Sequence, residues 1–421
     1  MNLHRLIVLQ GKLRILRKIR RGLRKNAETK GSTTRHLSHH ALTISYLCFR
    51  HRSSVGKKLF LSSGCRRFDR RIDYRIGNME KERPLYRNWK LYVSLFGLLI
   101  LGYALLPGPS YEYHSRLTEE EKASFDVYLQ DRLQEGAEKG ARPGNEERLI
   151  RYGEKTPIAF LYVHGFGASR AEGEMVMDEI ASKFQANTFY LRLPGHGTDM
   201  DDHASVVLAD YLDYSADALA MMQKLGDRVI VVGTSMGGLI STYLAANYPD
   251  QVDALILASP FFEFRDKTGN VLGYPGGLML AEMVNGGEVR DSSRDPKNAR
   301  SVDGYEEFWY TKQYMSALVP LYDLKDYIAR PATFEAVQCP TLMLYYYKSE
   351  QEQDPTADVN AMLEGFAQFG GNPLNRSVAI EDGAHVLLSK YVRTDKERIA
   401  QEIVQFVNDF QGAERAEQAA Q

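Results

Sequence analysis

The stretch VIVVGTSMGG, Val229–Gly238, runs four β-formers directly into a serine set among glycines. Gly233 lies two residues before Ser235, and Gly237 and Gly238 follow closely. A solvated surface serine has no need of such neighbours. A serine held on a very tight strand-to-helix turn does, because a Cβ at the flanking positions would strike the facing backbone. The flanks agree: Val229–Val232 reads as a strand buried on both faces. Leu239, Ile240, Tyr243 and Leu244 follow at helical spacing until Tyr248-Pro249-Asp250. Ser235 is therefore a candidate nucleophile.

A serine nucleophile needs a base. After residue 112 the chain offers His114, His164, His196, His203 and His385. His164 and His196 each adjoin a glycine at a strand end, His203 opens a helix, and His114 lies close behind an apolar run. His385, in EDGAHVLLS, follows the last strand, where a base approaching from the far side belongs. An imidazole base needs an acid that fixes its tautomer and stabilises the imidazolium. The strand Thr341–Tyr347 is followed by KSEQEQDPTADV, with Glu350, Glu352, Asp354 and Asp358 as candidates. We expect Asp354, because Asp-Pro ahead of a helix makes a fixed turn; Glu350, nearer the strand end, is the alternative. Two backbone N–H donors must meet the developing oxyanion. Met236, after the nucleophile, supplies one, and Phe166, in the loop HGFGAS after an early strand, supplies the other.

Alternating elements must position these groups. We expect strands over 157–163, 187–193, 228–232, 253–259, 341–347 and 377–382, with helices over 173–184, 204–225 and 395–410. Strands that are nearly all apolar, separated by helices, imply an α/β fold: a mostly parallel sheet covered on both faces. About eighty residues between Ser259 and Thr341 break the alternation, too many for a structureless loop. They are read as a helical cap at about 260–338, rich in Phe308, Trp309, Tyr310, Tyr314 and Tyr322, over the sheet edge where ligands bind. A helix is expected over 115–135 and a loop over GAEKGARPGNEERL.

With HGFG, GTSMGG and the order Ser, Asp, His, residues 145–412 resemble the α/β-hydrolase superfamily. RLPGHG, Arg192–Gly197, is similar to a loop of its carboxylesterase, monoacylglycerol lipase and lysophospholipase-like members, which implies a structural His196. The family's acid follows its strand within a few residues, whereas Asp354 comes after an additional KSEQEQ. Members with epoxide hydrolase or dehalogenase activity place Asp at the elbow, so Ser235 argues against those chemistries.

The net charge of −1 hides an asymmetry. Residues 1–78 hold 20 Lys and Arg against 3 Asp and Glu, a formal +17, which leaves −18 on the rest. That acidity disfavours nucleic acid as a partner. Met79 opens a charged stretch, and the reading adopted is that residues 1–78 are not part of the native protein. A surface-binding arm and an organelle presequence are the alternatives. Leu91–Leu106 carries no charge and reads as a membrane helix within 79–112. Lys81, Arg83, Arg87 and Lys90 precede it, while Glu112 and Glu119–Glu121 follow it. That bias exports the following domain, on an uncleaved anchor or, alternatively, as a secreted product. Residues 113–145 form a helix and linker, 146–412 the hydrolase-like domain, and 413–421 a frayed tail. Of Cys48, Cys65 and Cys339, only the last lies in the body. No zinc spacing or phosphate loop is present, and no cofactor is expected.

The expected activity is a serine hydrolase cleaving carboxylic esters, lipid-like or otherwise apolar in the acyl group, through an acyl-enzyme on Ser235. An acyltransferase on the same fold and a membrane-anchored binding module without catalysis are the alternatives.

Overall fold

The computed structural model describes residues 89–104, 111–293, 295 and 298–420. They fall into two units, one holding the first helix and the other everything from Tyr111 onward. The basic segment 1–78, with Cys48 and Cys65, lies outside the described residues, as do Leu105 and Leu106.

Helix α1, Trp89–Ala104, comprises 16 residues. At 1.5 Å per residue it is about 24 Å long, whereas a bilayer core of about 30 Å asks for roughly 20 residues. Among the described residues no helix is long and apolar enough to cross a membrane, and the expected span over Leu91–Leu106 runs two residues past the end of this helix.

In the second unit α2 (Glu119–Ala123) and α3 (Phe125–Glu138) replace the single helix expected over 115–135. Ser124 is extended (φ −141°), ends α2, and caps α3 by accepting from the Val127 N–H. Phe125 and Tyr128 of α3 are buried against Phe189. A short strand β1 (Arg148–Ile150) then lies where a loop was expected.

Next come β2 (Thr156–Val163), α4 (Glu174–Phe184), β3 (Asn187–Leu191), α5 (Met200–Ser205), α6 (Leu208–Met222), β4 (Gly226–Thr234), α7 (Met236–Asn247) and β5 (Ala254–Ala258). The helix expected over 204–225 is thus two. Val206 and Val207 are extended between them, and the Asp210 carboxylate takes the Val207 N–H to start α6. The cap segment contains α8 (Gly277–Asn285), the ribbon β6 (Val289–Asp291) with β7 (Lys312–Tyr314), α9 (Tyr305–Phe308), α10 (Leu318–Ile328) and α11 (Pro331–Ala336). Finally β8 (Thr341–Tyr346), α12 (Val359–Phe366), β9 (Arg376–Ile380) and α13 (Lys396–Ala420) close the fold. The last of these takes in most of the expected tail, whose Ala, Glu, Gln and Arg residues are strong helix formers.

The main sheet has seven strands in the order β1-β3-β2-β4-β5-β8-β9. All neighbours are parallel except β1 on β3. Ile230, Val231 and Val232 of β4 are fully buried because helices cover both faces. One core lies on the α6, α7 and α3 side, including Leu161, Val231, Leu239 and Leu255. The other lies on the α4 and α13 side, including Phe160, Ile230, Ile256 and Ile403. The C-terminal ends of β2, β4, β8 and β9 therefore emerge on one edge.

Candidate active site

Ser235 caps α7 with φ 55° and ψ −116°, a region that a residue with a Cβ rarely adopts. Its backbone is held there from both sides. The Ser235 N–H donates to the Ala258 carbonyl at 3.0 Å, and the Ser235 carbonyl accepts from the Phe261 N–H at 3.0 Å. A Cβ at Gly237 would overlap the carbonyl oxygens of Val163 and His164, so the turn admits only glycine there. Gly237 thus answers to the closeness of β2, whereas a Cβ at Gly233 would strike the Gly237 carbonyl and Ser241 Oγ, and one at Gly238 would press on Pro260.

Ser235 Oγ lies 2.8 Å from His385 Nε2, and His385 Nδ1 lies 2.7 Å from Asp354 Oδ2. The other oxygen of Asp354 accepts from the N–H groups of Thr356 and Ala357, at 2.8 and 2.9 Å. Asp354 is fully buried and Ser235 6% exposed. The additional residues before Asp354 fold back on themselves. Lys348 and Ser349 donate their N–H groups to the Glu352 carbonyl, Tyr347 bridges Gln353, and the Asp354 N–H then reaches the Tyr346 carbonyl. Asp354 thus stands beside the strand end despite its distance in sequence. Glu350 sits on the exposed excursion, where it accepts from the Tyr347 hydroxyl at 3.2 Å.

The loop His164–Gly167 is tied down group by group. The Gly165 N–H donates to Glu172 Oε2 at 2.5 Å, and the Gly165 carbonyl accepts from His164 Nδ1 and the Ala168 N–H. The Gly167 N–H donates to His196 Nε2 at 2.9 Å, and its carbonyl accepts from the Tyr310 N–H at 2.7 Å. The Phe166 N–H has no acceptor among the described residues. Met236 occupies the first position of α7, where a helix offers its N–H no internal partner.

The remaining body histidines have other surroundings. His164 Nε2 accepts from the Leu193 N–H, and His196 Nδ1 donates to the Pro194 carbonyl. With His203 they form a buried stack, ring centres 4.9 and 4.6 Å apart, which closes on Tyr310. Burial, then the neighbouring imidazole, pushes His164 and His196 well below the ordinary 6.5 and His203 down to about 3. All three are therefore neutral at pH 7, and each hydrogen bond above fits a neutral ring.

Sequence reasoning missed Glu172. It is 2% exposed, and burial raises its carboxyl to about 7. Nothing in a lone glutamate within a turn announces this. Among the described residues no group of three or more His, Cys, Asp or Glu could hold a metal.

A cavity of about 460 Å³ opens over Ser235 and His385. Phe166, Phe261, Phe264, Leu318 and Leu321 give it an apolar wall, while Arg290, Ser292, Asn298, Arg300 and Ser301 give it polar lining. Both arginines carry aspartate partners, Asp295 at 3.3 Å and Asp382. The cap segment supplies most of these residues. The arrangement can transfer a proton from Oγ to an imidazole.

A family model described as the alpha/beta hydrolase fold matches residues 158–390. A thermostable monoacylglycerol lipase of Bacillus sp. (strain H-257) is 23% identical over 216 residues, covering 51% of this chain and 79% of that protein. A pimeloyl-[acyl-carrier protein] methyl ester esterase of Neisseria meningitidis serogroup A is 31% identical over 99 residues, or 24% of this chain. That match spans only 29% of the esterase's length. A solved structure from work on the metagenome-derived lipolytic enzymes LipS and LipT superposes with a TM-score of 0.53 at 18% identity, covering 64% of this chain and 99% of that one. With more than half its length matched, the chain belongs to the α/β-hydrolase fold family.

Proposed function

We propose that the protein is a serine hydrolase that cleaves carboxylic esters through an acyl-enzyme on Ser235. His385 Nε2 takes the Ser235 proton as Oγ attacks the ester carbonyl carbon. Asp354 holds the tautomer with hydrogen on Nδ1 and stabilises the imidazolium. The Phe166 and Met236 N–H groups meet the oxyanion. His385 then protonates the leaving alcohol, and water, activated by the same imidazole, releases the acid. The observation that carries this reading is the unbroken line from Oγ through the imidazole to Asp354, 2.8 and 2.7 Å in its two steps.

The lining of the cavity supports a substrate class. Its apolar wall suits an acyl chain, and its polar side suits a hydroxylated alcohol. Because Arg290 and Arg300 are both ion-paired, that side favours an uncharged polyol such as glycerol over an anionic headgroup. A monoacylglycerol-like ester is the best match, and the lipases and esterases among the relatives support it. Attachment to a membrane and an exported catalytic domain complete the proposal. They rest on the apolar residues of α1 and the basic-before, acidic-after bias around it. Extraction of the native protein by alkaline carbonate would argue against attachment.

The test is hydrolysis of p-nitrophenyl esters of increasing acyl length by the full chain, beside Ser235→Ala. Turnover by the wild type and its loss in the variant are expected. An inactive wild type that a fluorophosphonate does not label would remove the proposal. Addition of an acceptor alcohol, with transferred ester as the main product, would convert it to an acyltransferase.

A further inference from the structure

Three successive N–H groups, those of Gly165, Phe166 and Gly167, lie in one loop, and the outer two have side-chain acceptors. His196 takes the Gly167 N–H, and Glu172 takes the Gly165 N–H at 2.5 Å. The middle group remains for a ligand. Glu172 reaches the loop from the turn Arg170–Glu172, whose Ala171 carbonyl accepts from Ser389 Oγ at 2.8 Å. Ser389 lies in the loop that carries His385. The turn that bears this carboxyl thus connects the segment bearing the Phe166 N–H, through Glu172, to the segment bearing the imidazole, through the Ala171 carbonyl.

The approach is close. A Cβ on Gly165 would stand 3.0 Å from Glu172 Oε1 and 3.1 Å from Ser235 Cβ, so the loop is clamped between carboxyl and elbow. Beneath the carboxyl lies the Tyr162 hydroxyl, 3.5 Å from Oε2 and 2.9 Å from Thr234 Oγ1. Glu172 also lines the cavity with Ser235 and His385. Burying a carboxyl is costly, and an apolar side chain would fill the same space without that cost. The group therefore answers to the N–H it binds.

We propose that Glu172 is a positioning residue of the reaction. By taking the Gly165 N–H it aims the Phe166 N–H at the point where negative charge develops during attack by Ser235. The inference rests on the serine-hydrolase reading. Loss of the bond would leave the Gly165 N–H free to turn inward and the Phe166 N–H misdirected. The chemical step would suffer while ground-state binding in the cavity would not.

The experiment uses the full chain with p-nitrophenyl butyrate and compares wild type with Glu172→Gln, Glu172→Asp and Glu172→Ala. The Gln amide oxygen still reaches Gly165, so kcat within about threefold of wild type is expected. Asp keeps the charge but withdraws the carboxylate by one methylene, and Ala removes it. Both should lose about 10- to 100-fold in kcat with KM within about twofold, and should be labelled correspondingly more slowly by a fluorophosphonate. If Ala fails to fold, the Gln and Asp pair still decides. Asp active with Gln impaired would overturn the proposal in favour of a charge effect, and equal kcat in all folded variants would overturn it outright. A wild type with neither turnover nor labelling would instead remove the serine-hydrolase reading itself.

Discussion

His385 Nδ1 stands 2.7 Å from Asp354 Oδ2, and the carboxyl that receives it is fixed from behind by the N–H groups of Thr356 and Ala357. Two backbone donors on one oxygen leave the other to the imidazole. The carboxylate cannot swing away without orphaning buried N–H groups. Asp354→Asn would preserve the shape and present an amide with the wrong hydrogen-bond polarity. A fall in kcat of roughly 10⁴ is expected for Asp354→Asn, and a change below about twofold for Glu350→Gln. Parallel kinetics on the two variants check this, and comparable losses in both would return Glu350 to consideration.

A second expectation concerns acid. His164, His196 and His203 are held neutral, below the 6.5 they recover on unfolding. The unfolded chain thus binds three more protons at these sites once the pH falls below about 6.5, and stability is lost in that direction. Glu172 acts oppositely. Its folded value of about 7 exceeds the ordinary 4.5, so between 4.5 and 6.5 the folded state holds one more proton there. Across that window the opposite changes at His203, about 3 when folded, and Glu172, about 7 when folded, nearly offset each other, so the downward shifts of His164 and His196 set the sign: stability falls as the pH falls. Urea unfolding at several pH values between 4.5 and 6.5 measures it. His203→Phe, which fills the stack without titrating, should reduce the slope by about one proton, or about 1.4 kcal/mol per pH unit. An unchanged slope would mean that His203 is protonated in the folded protein.

Gly165→Ala offers a geometric check. The new methyl would press on Glu172 Oε1 and Ser235 Cβ at about the shortest separations that real side chains tolerate. The elbow cannot yield, because Ser235 is bonded through both its N–H and its carbonyl. The loop must therefore move. A loss of at least tenfold in kcat, with only a few degrees in melting temperature, is expected from kinetics and thermal unfolding. Full activity would show that the loop position matters less than the distances imply.

These features differ in how far the chain alone reveals them. The elbow was legible because its glycines stand at fixed offsets from Ser235 between a strand pattern and a helix pattern. His385 was legible by order along the chain, since one histidine follows the last strand. Asp354 was harder, because its place depends on Lys348–Glu352 turning back on itself, and only the Asp-Pro turn hinted at it. Glu172 was not legible. Its burial comes from Tyr162 below and the Gly165 loop beside it, contacts that no local pattern encodes. Strand β1 escaped because three residues in a charged segment carry no alternation. The division at Val206–Val207 escaped because the apolar spacing on either side continues through it.

The segment Tyr111–Arg116 carries the last prediction. Asp213 and Asp217, one helical turn apart on α6 and both buried, serve this segment. Asp217 accepts from the Tyr113 hydroxyl at 2.6 Å, Ser115 Oγ at 2.8 Å and the Arg116 N–H at 2.9 Å. Asp213 accepts from the Tyr111 hydroxyl at 2.6 Å and the His114 N–H at 3.1 Å, and pairs with Arg116 at 3.3 Å. Burial and then these carboxylates hold both tyrosines protonated, well above the ordinary 10. The segment is therefore strapped to the domain, and the carboxylates need it as much as it needs them. Asp217→Ala would leave three donors without their acceptor, at a cost of roughly 2–4 kcal/mol. Arg116 should become a tryptic site in the variant and resist in the wild type. Deleting residues up to 118 should destabilise more than the point substitution, because two buried carboxylates would then lose their donors together. Equal melting temperatures for the deletion and the wild type would show that the strap contributes nothing to the fold.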